Sequence, residues 1–458
     1  MRPQDPPSPI PLVSAVAGIA WPALPNAAGQ AMLAQQFLLA RSQWSSALAL
    51  AELQYKQLRL LANHAVAQVP FYRNHLRRAQ IFMLAGLTPQ SFLRWPILTR
   101  ADVVAGGQAL HARQFPAGHG GPVESSSTGS TGHPVTVLTT EAAAFIQGAI
   151  AARSHLWYGL NFRAKFAAIR RGVKEAAYPD WGTGIRDAVA TGPLVTIDLI
   201  EDIPRQLDWL CRESPAYVLS MGNNLRSLII ESRESGRVPQ GLRGLLSYAV
   251  PLPPDLRELA REVWDVPVFD TYSCGELGPL ALQCPDGEHL HVQSERVLLE
   301  ILRDDGTPCE PGETGRVIVT DLHNFAMPMI RYALGDYAEA GETCTCGRGL
   351  PVIRRIAGRN INMAVDPTGR RFWPVIRPER WQDTVPITQR QMIQRSPSLI
   401  EVRYVFERDL ADAEKTSLAA SLNESLRYRF EYEFVRVQSI DPAPGGKSQE
   451  FISMFDSA

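Results

Sequence analysis

From Ser125 to Pro134 the chain reads Ser-Ser-Ser-Thr-Gly-Ser-Thr-Gly-His-Pro. Six of these ten residues carry hydroxyls, two are glycine, and no apolar side chain is larger than proline. Such a stretch cannot join a packed core. With so little bulk it lets backbone N–H groups and hydroxyls converge on one point, which suits a polyanion such as a nucleotide triphosphate. The β-branched run Val135-Thr136-Val137-Leu138 that follows reads as a strand. The Walker A spacing and its Lys are absent. Alone, the stretch also fits a flexible surface linker, and the segments downstream decide between the two.

Those segments alternate. Short apolar runs at Phe166–Ile169, Leu194–Ile197 and Ala216–Leu219 are separated by helical stretches, which predicts an α/β fold with a largely parallel sheet. Thr140 is expected to start a helix running to about Trp157, and Pro254–Val263 another. Pro267–Tyr272 reads as a strand that runs into the turn Ser273-Cys274-Gly275-Glu276-Leu277-Gly278. From Val292 the texture becomes β, with strands at Val297–Leu302 and Arg316–Thr320 joined through Gly- and Pro-rich turns. Upstream, residues 31–68 carry apolar side chains at near-helical spacing, predicting one long helix or two that Pro70 ends. Thr99 is a candidate N-cap. The last hundred or so residues offer a strand at Ile400–Phe406, a helix at Glu414–Tyr428, a strand at Glu433–Ser439, and a glycine-softened turn ending in Lys447.

These readings predict three parts: a Pro-rich arm over 1–30, a large α/β domain with mixed and parallel sheets and a β-rich portion over 31–357, and a small α+β domain over 358–458. The 458 residues have a formal net charge of −1, so no bulk attraction to nucleic acid or an acidic membrane is expected. The apolar stretch Ile10–Leu24 is broken by Pro11 and Pro22 and lacks a strong basic end, so a loosely held arm is expected there rather than a leader peptide. Six cysteines in a chain of this length do not make a disulfide scaffold, and a reducing cytoplasm is the expected setting.

Cys344-Thr345-Cys346-Gly347 is a tight turn able to aim two thiolates at one ion, and Cys284 and His291 lie about fifty residues before it. Together they make a Cys₃His set suited to a closed, structural Zn²⁺ site. His289 is a rival for the fourth position. Cys211, Cys274 and Cys309 receive no role. The basic run Arg170-Arg171-Gly172-Val173-Lys174 reads as a solvated face, with a surface for CoA phosphates or an acidic substrate as the alternative.

Eight segments in order carry a family resemblance: Val69-Pro70-Phe71-Tyr72-Arg73, Pro96-Ile97-Leu98-Thr99, Ser127 to Pro134, Tyr272 to Gly278, Gly312 to Thr320, Met327 to Asp336, Gly358-Arg359 and Gly446-Lys447. In these the chain resembles the adenylate-forming superfamily, in its phenylacetate–CoA ligase-like branch. The resemblance implies a ligase that joins a carboxylic acid, aromatic or hydrophobic, to the α-phosphate of ATP, releases pyrophosphate, and passes the acyl group to CoA. An amine acceptor is the alternative.

The resemblance also implies site roles. Ser127, Thr128, Gly129, Ser130, Thr131 and Gly132 would hold the β- and γ-phosphates, Glu276 would hold Mg²⁺, and Tyr272 would pack on adenine. Asp336 would accept the ribose hydroxyls, Arg359 would sit at a hinge, and Lys447 would bridge carboxylate and α-phosphate. Family spacing favours His291 over His289 as the zinc ligand. Trp157, Met221, Gly222 and Ala249 are candidate pocket walls. Two departures stand out: His133 occupies the place of the family's loop Lys, and the hinge, Gly-Arg-x-Asp-Asp in the family, reads Gly358-Arg359-Asn360-Ile361-Asn362 without its acids. A non-catalytic nucleotide-binding or zinc-braced protein is disfavoured, since such a chain needs neither Glu276 nor Lys447. Monomer and homodimer are both compatible with the sequence.

Overall fold

The computed structural model describes residues 10–78, 87–126, 136–182, 185–359, 363–372, 374, 385, 387, 389–426, 428–440 and 451–454. The chain divides into two compact units, the second made chiefly of Ala357–Ala458 together with the short segment Gly335–Tyr337.

In the first unit, α1 (Ala27–Ser42) and α2 (Ala47–Gln68) are separate helices, each started by a side-chain cap: Asn26 accepts from the amide of Gly29, and Ser46 from that of Ala49. Leu50, Leu58, Leu61, Ala62 and Ala65 form the buried stripe of α2, each leucine contributing roughly 1.5–3 kcal/mol of burial. As expected, the helix before Pro70 ends at Gln68. Val69 alone is extended, and Pro70 opens α3 (Pro70–Arg78), because a proline at the first helical position loses no hydrogen bond. The N-terminal stretch is held more firmly than its composition suggests: the Val13 amide donates to Ala188 O at 2.9 Å and the Ala190 amide to Pro11 O at 2.7 Å. After the short helix α4 (Pro89–Phe92), α5 (Arg100–Gly106) starts with a full capping box between Thr99 and Asp102.

A twelve-stranded sheet runs β11-β12-β13-β14-β10-β9-β8-β7-β6-β3-β5-β4. Its parallel heart is β3 (Phe166–Arg170), β5 (Leu194–Asp198), β6 (Tyr217–Met221), β7 (Gly244–Tyr248) and β8 (Val268–Cys274). Helices α6 (Glu141–Trp157), α7 (Ile203–Glu213), α8 (Gly222–Ser235) and α9 (Leu256–Trp264) connect and flank these strands, and β4 (Ala176–Tyr178) closes one edge antiparallel to β5. The β-rich stretch after Val292 continues the same sheet. It comprises β9 (Gly278–Gln283), β10 (Leu290–Val292), β11 (Val297–Leu302), β12 (Thr314–Asp321), β13 (Tyr332–Ala340) and β14 (Val352–Arg359). A separate hairpin pairs β1 (Pro122–Ser126) with β2 (Thr136–Thr140). The second unit has a four-stranded sheet from Gln389–Gln394, Leu399–Val405, Glu431–Arg436 and Phe451–Ser453, packed by Leu418, Leu422 and Leu426 of the helix Asp412–Leu426.

One buried ion pair fixes where α5 begins. Arg331 is 2% exposed and lies at φ +53°, a left-handed conformation uncommon outside glycine. Its guanidinium grips Glu300 through two bonds of 3.0 and 2.9 Å and donates to the carbonyls of Leu93 and Trp95 at 2.7 and 2.6 Å. Leu98 then pairs beside Tyr332 as a parallel bridge. Arg331→Met leaves Glu300 buried without its cation and is expected to lower unfolding free energy by about 3 kcal/mol. Urea denaturation checks this, and adding Glu300→Gln should restore part of the loss.

Candidate active site

In this fold ligands gather at the carboxyl ends of parallel strands. Here β8 is the last parallel strand. It carries Tyr272, which is buried, and after a register irregularity between Tyr272 and Ser273 it turns through Gly275–Leu277 into β9. Glu276 sits in that turn, half-buried, and Arg100, the first residue of α5, donates Nη1–H to its Oε1 at 3.0 Å. The buried Tyr332 lies beside this pair. Burial and the Glu276 charge push its hydroxyl pKa up, while Arg100 pulls it down. Arg100, Glu276 and Tyr332 therefore meet although α5, the β8–β9 turn and β13 are distant in sequence. The cause is the Arg331 clamp, which holds the segment leading into α5.

The hydroxyl-rich loop Ser127–Gly132 lies outside the described residues, as do His133, Asn360, Asn362 and Lys447. The hairpin that brackets the loop is described: Ser126 pairs with Thr136, and Asn324 Nδ2 donates to Leu138 O at 3.0 Å, anchoring β2. Thr140 is fully buried and caps α6 by accepting from the Ala143 amide. In the second unit Arg359 Nε donates to Asp336 Oδ1 at 3.1 Å, so these two expected site residues are partners. Of the candidate pocket walls, Met221 ends β6, Ala249 follows β7, and Gly222 opens α8. A Cβ at Gly222 would press on Pro253, which accounts for the glycine. Trp157 goes elsewhere: its ring lies 6.0 Å from His291 and 4.9 Å from the Arg348 guanidinium, away from these three.

Trp157 thus borders the cysteine cluster. Cys284 Sγ and Cys344 Sγ stand 3.9 Å apart, His289 Nε2 lies 3.0 Å from Cys344 Sγ, and His291 Nε2 lies 3.4 Å from Cys346 Sγ. Backbone amides of Asp286, Cys346 and Arg348 point at the three sulfurs. His291 Nδ1 is 3.3 Å from Leu350 O. A carbonyl only accepts, so Nδ1 carries the proton and Nε2 turns its lone pair toward the sulfurs. Burial pushes the Cys284 thiol up to about 12 and His291 down to about 4. Three thiols gathered with bare imidazole nitrogens are costly without a cation and favourable with a thiophilic one. All four predicted ligands are brought together, and His289 joins them. The four donors that lie mutually within 4.8 Å are Cys284, His289, His291 and Cys344, with Cys346 beside Cys284 and Asp286.

No family model matches the chain. A curated relative, the phenylacetate–coenzyme A ligase of Thermus thermophilus, is 25% identical over 333 residues, 68% of this chain and 71% of its own. Among solved structures, 2-hydroxyisobutyryl-CoA ligase in the postadenylation state with 2-HIB-AMP superposes with a TM-score of 0.69 at 17% identity, covering 90% of this chain and 91% of the other. The chain is similar in sequence to a phenylacetate–coenzyme A ligase and shares the fold of solved acyl-CoA ligases. Its resemblance is to the phenylacetate–CoA ligase-like branch. The fold likeness extends to o-succinylbenzoate-CoA synthetase of Bacillus subtilis, solved with its acyl-adenylate OSB-AMP: TM-score 0.50, 16% identity, 71% of this chain and 67% of that one.

Sequence reasoning missed Arg100 and left His289 undecided. Arg100 had no local signal beyond its place after a capping Thr, and its partner is 176 positions away. His289 was visible as a rival ligand, but only the β9–β10 connection shows that its ring faces Cys344. No helix among the described residues is long and apolar enough to cross a membrane.

Proposed function

We propose that the protein activates a carboxylic acid with ATP as the acyl-adenylate, releases pyrophosphate, and transfers the acyl group to CoA. The observation that carries this is Glu276, held by Arg100 in a turn at the carboxyl end of the last parallel strand, in a chain similar to a phenylacetate–coenzyme A ligase. The obstacle to the first step is that an anionic carboxylate must approach an anionic phosphate. Fixed cations and oriented N–H dipoles lower that barrier.

In this reading the loop Ser127, Thr128, Gly129, Ser130, Thr131 and Gly132 binds the β- and γ-phosphates and Tyr272 packs on the adenine. Asp336 accepts the ribose hydroxyls, freed for them from its bond with Arg359. Glu276 supplies the hard oxygen ligand for Mg²⁺, which when bound offsets phosphate charge. Arg100 orients the Glu276 carboxylate. Lys447 is the cation assigned to the reacting carboxylate and α-phosphate. His133 in place of the usual loop Lys leaves these cations with a larger share of the charge to offset.

The cysteine cluster is proposed to hold one structural Zn²⁺. A set with four or five protein donors leaves no open position for hydrolytic chemistry. The ion would tie the β9–β10 connection to residues 344–350, and through Arg348, whose guanidinium lies between Trp44 and Trp157 and donates to Gln43, to the α1–α2 junction.

Carboxylate-dependent exchange of labelled pyrophosphate into ATP, across a panel of acids, tests the first half-reaction, and mass analysis after adding CoA tests the second. Exchange with at least one acid and a CoA thioester product are expected. Absence of exchange with every acid, in protein that binds ATP, would sink the reading; amides formed with added amines and no thioester would move the acceptor to an amine.

A further inference from the structure

The basic run Arg170-Arg171-Gly172-Val173-Lys174 begins at the carboxyl end of β3, on the same edge of the sheet as Tyr272 and Glu276. Most arginines nearby are neutralised. Arg205 and Arg212 meet Glu175, Arg226 meets Asp255, and Arg257 lies near Glu288. Asp198 sits in register with Arg170 on β5, yet its carboxylate is turned to the amides of Gly172 and Ile200. Among the described residues, no ion pair joins Arg170, Arg171 or Lys174 to an acid.

Arg170 is exposed, but it is not loose. Its guanidinium crosses the end of β6 and lies 5.6 Å from the centre of the Tyr248 ring, at the end of β7. Tyr248 is in register with Thr271, the residue before Tyr272. A cation laid on an aromatic face is held in one place, so less freedom is lost when it takes up an anion.

We propose that the acid substrate carries a second anionic group, and that Arg170, seated on Tyr248, receives it. This rests on the adenylation reading and names the substrate class within it. With strands about 5 Å apart, the guanidinium stands roughly 10 Å from the β8 end where the first carboxylate is activated. The substrate is then a diacid, or a carboxylic acid with a distal sulfonate or phosphate, spanning about that length across the Tyr248 ring. The same cation also suits the phosphates of CoA, and the two are separable by which Michaelis constant responds.

The test compares acids of matched length with and without a distal carboxylate, in pyrophosphate exchange and in thioester formation. The diacid is expected to have the higher kcat/KM. Arg170→Ala should cut the diacid-to-monoacid ratio of kcat/KM by about ten- to a hundredfold, the worth of one charge-assisted hydrogen bond, mainly through KM for the diacid. Arg170→Lys should keep part of that ratio, and Arg170→Glu should shift preference toward an acid with a distal ammonium. A ratio unchanged by Arg170→Ala, in protein with unaltered melting temperature, overturns the proposal. So does a change confined to KM for CoA. No exchange with any acid would instead remove the adenylation reading itself.

Discussion

Replacing Glu276 by Gln is expected to lower carboxylate-dependent pyrophosphate exchange by about a hundred- to a thousandfold, the cost typical of one preorganised electrostatic group at a reacting centre. The substitution keeps size and hydrogen bonding but removes the charge, so Mg²⁺ loses a hard anionic ligand and Arg100 loses its counter-ion at 3.0 Å. Two readouts separate this from misfolding. The Mg²⁺ concentration for half-maximal exchange should rise, and the melting temperature should move little, since the turn is half-buried. Lys447→Ala should reduce exchange by a similar factor without changing the Mg²⁺ requirement, because its cation is assigned to the reacting carboxylate. Arg100→Ala should cost less, about tenfold, as it removes a charge-assisted bond that orients Glu276 and not the ligand atom itself. Full exchange activity in Glu276→Gln would take the carboxylate out of the mechanism.

Arg100, whose partner Glu276 lies 176 positions away, marks where local sequence reasoning stops. The N-cap at Thr99, the strand leading to the Glu276 turn and the helices expected at Pro254–Val263 and Glu414–Tyr428 follow from residue types within a turn or two; the structure caps α5 at Thr99 and places those helices at Leu256–Trp264 and Asp412–Leu426. The alternation of apolar runs was enough to expect a parallel sheet, but not its order, in which β3 lies between β5 and β6. Order depends on crossovers and long-range packing, which leave no periodic trace. Pro70 marked the end of α2 but not the start of α3, because the residue that closes one helix is equally suited to open the next. Trp157 reads as a pocket wall by size and apolarity, whereas its rim position against Arg348 and His291 depends on a loop nearly two hundred residues later. The cysteine spacing showed which residues converge, and the ring of His289 was left undecided because two histidines a residue apart on a strand edge differ only in how the β9–β10 connection turns them.

The donor set makes a second strong prediction. Protein purified without chelator should contain about one zinc per chain, and removing it should cost several kcal/mol, lowering the melting temperature by on the order of 10 °C. Structural zinc in isolated zinc-finger peptides is worth about 10–16 kcal/mol; here the surrounding sheet and the Arg348 contacts retain part of the fold without it. Cys284→Ser and Cys344→Ser should each release the metal, since both sulfurs lie in the group that includes the two imidazoles. His289→Ala and Cys346→Ser then distinguish the fourth ligand: the one that keeps its zinc marks the dispensable donor. Metal affinity should fall as pH falls, because ligation needs thiolates and neutral imidazoles and protons compete for both. The loss should also reach the reaction. Gln283, next to Cys284, accepts from the Asp270 amide at 2.8 Å and from Arg257 at 2.9 Å and donates to Gly287 O at 3.2 Å, tying the metal loop to the strand that carries Tyr272. Exchange activity should therefore decline in step with zinc content and return on adding zinc back. Zinc-free protein with an unchanged melting temperature and full exchange would leave the cluster without a bracing role.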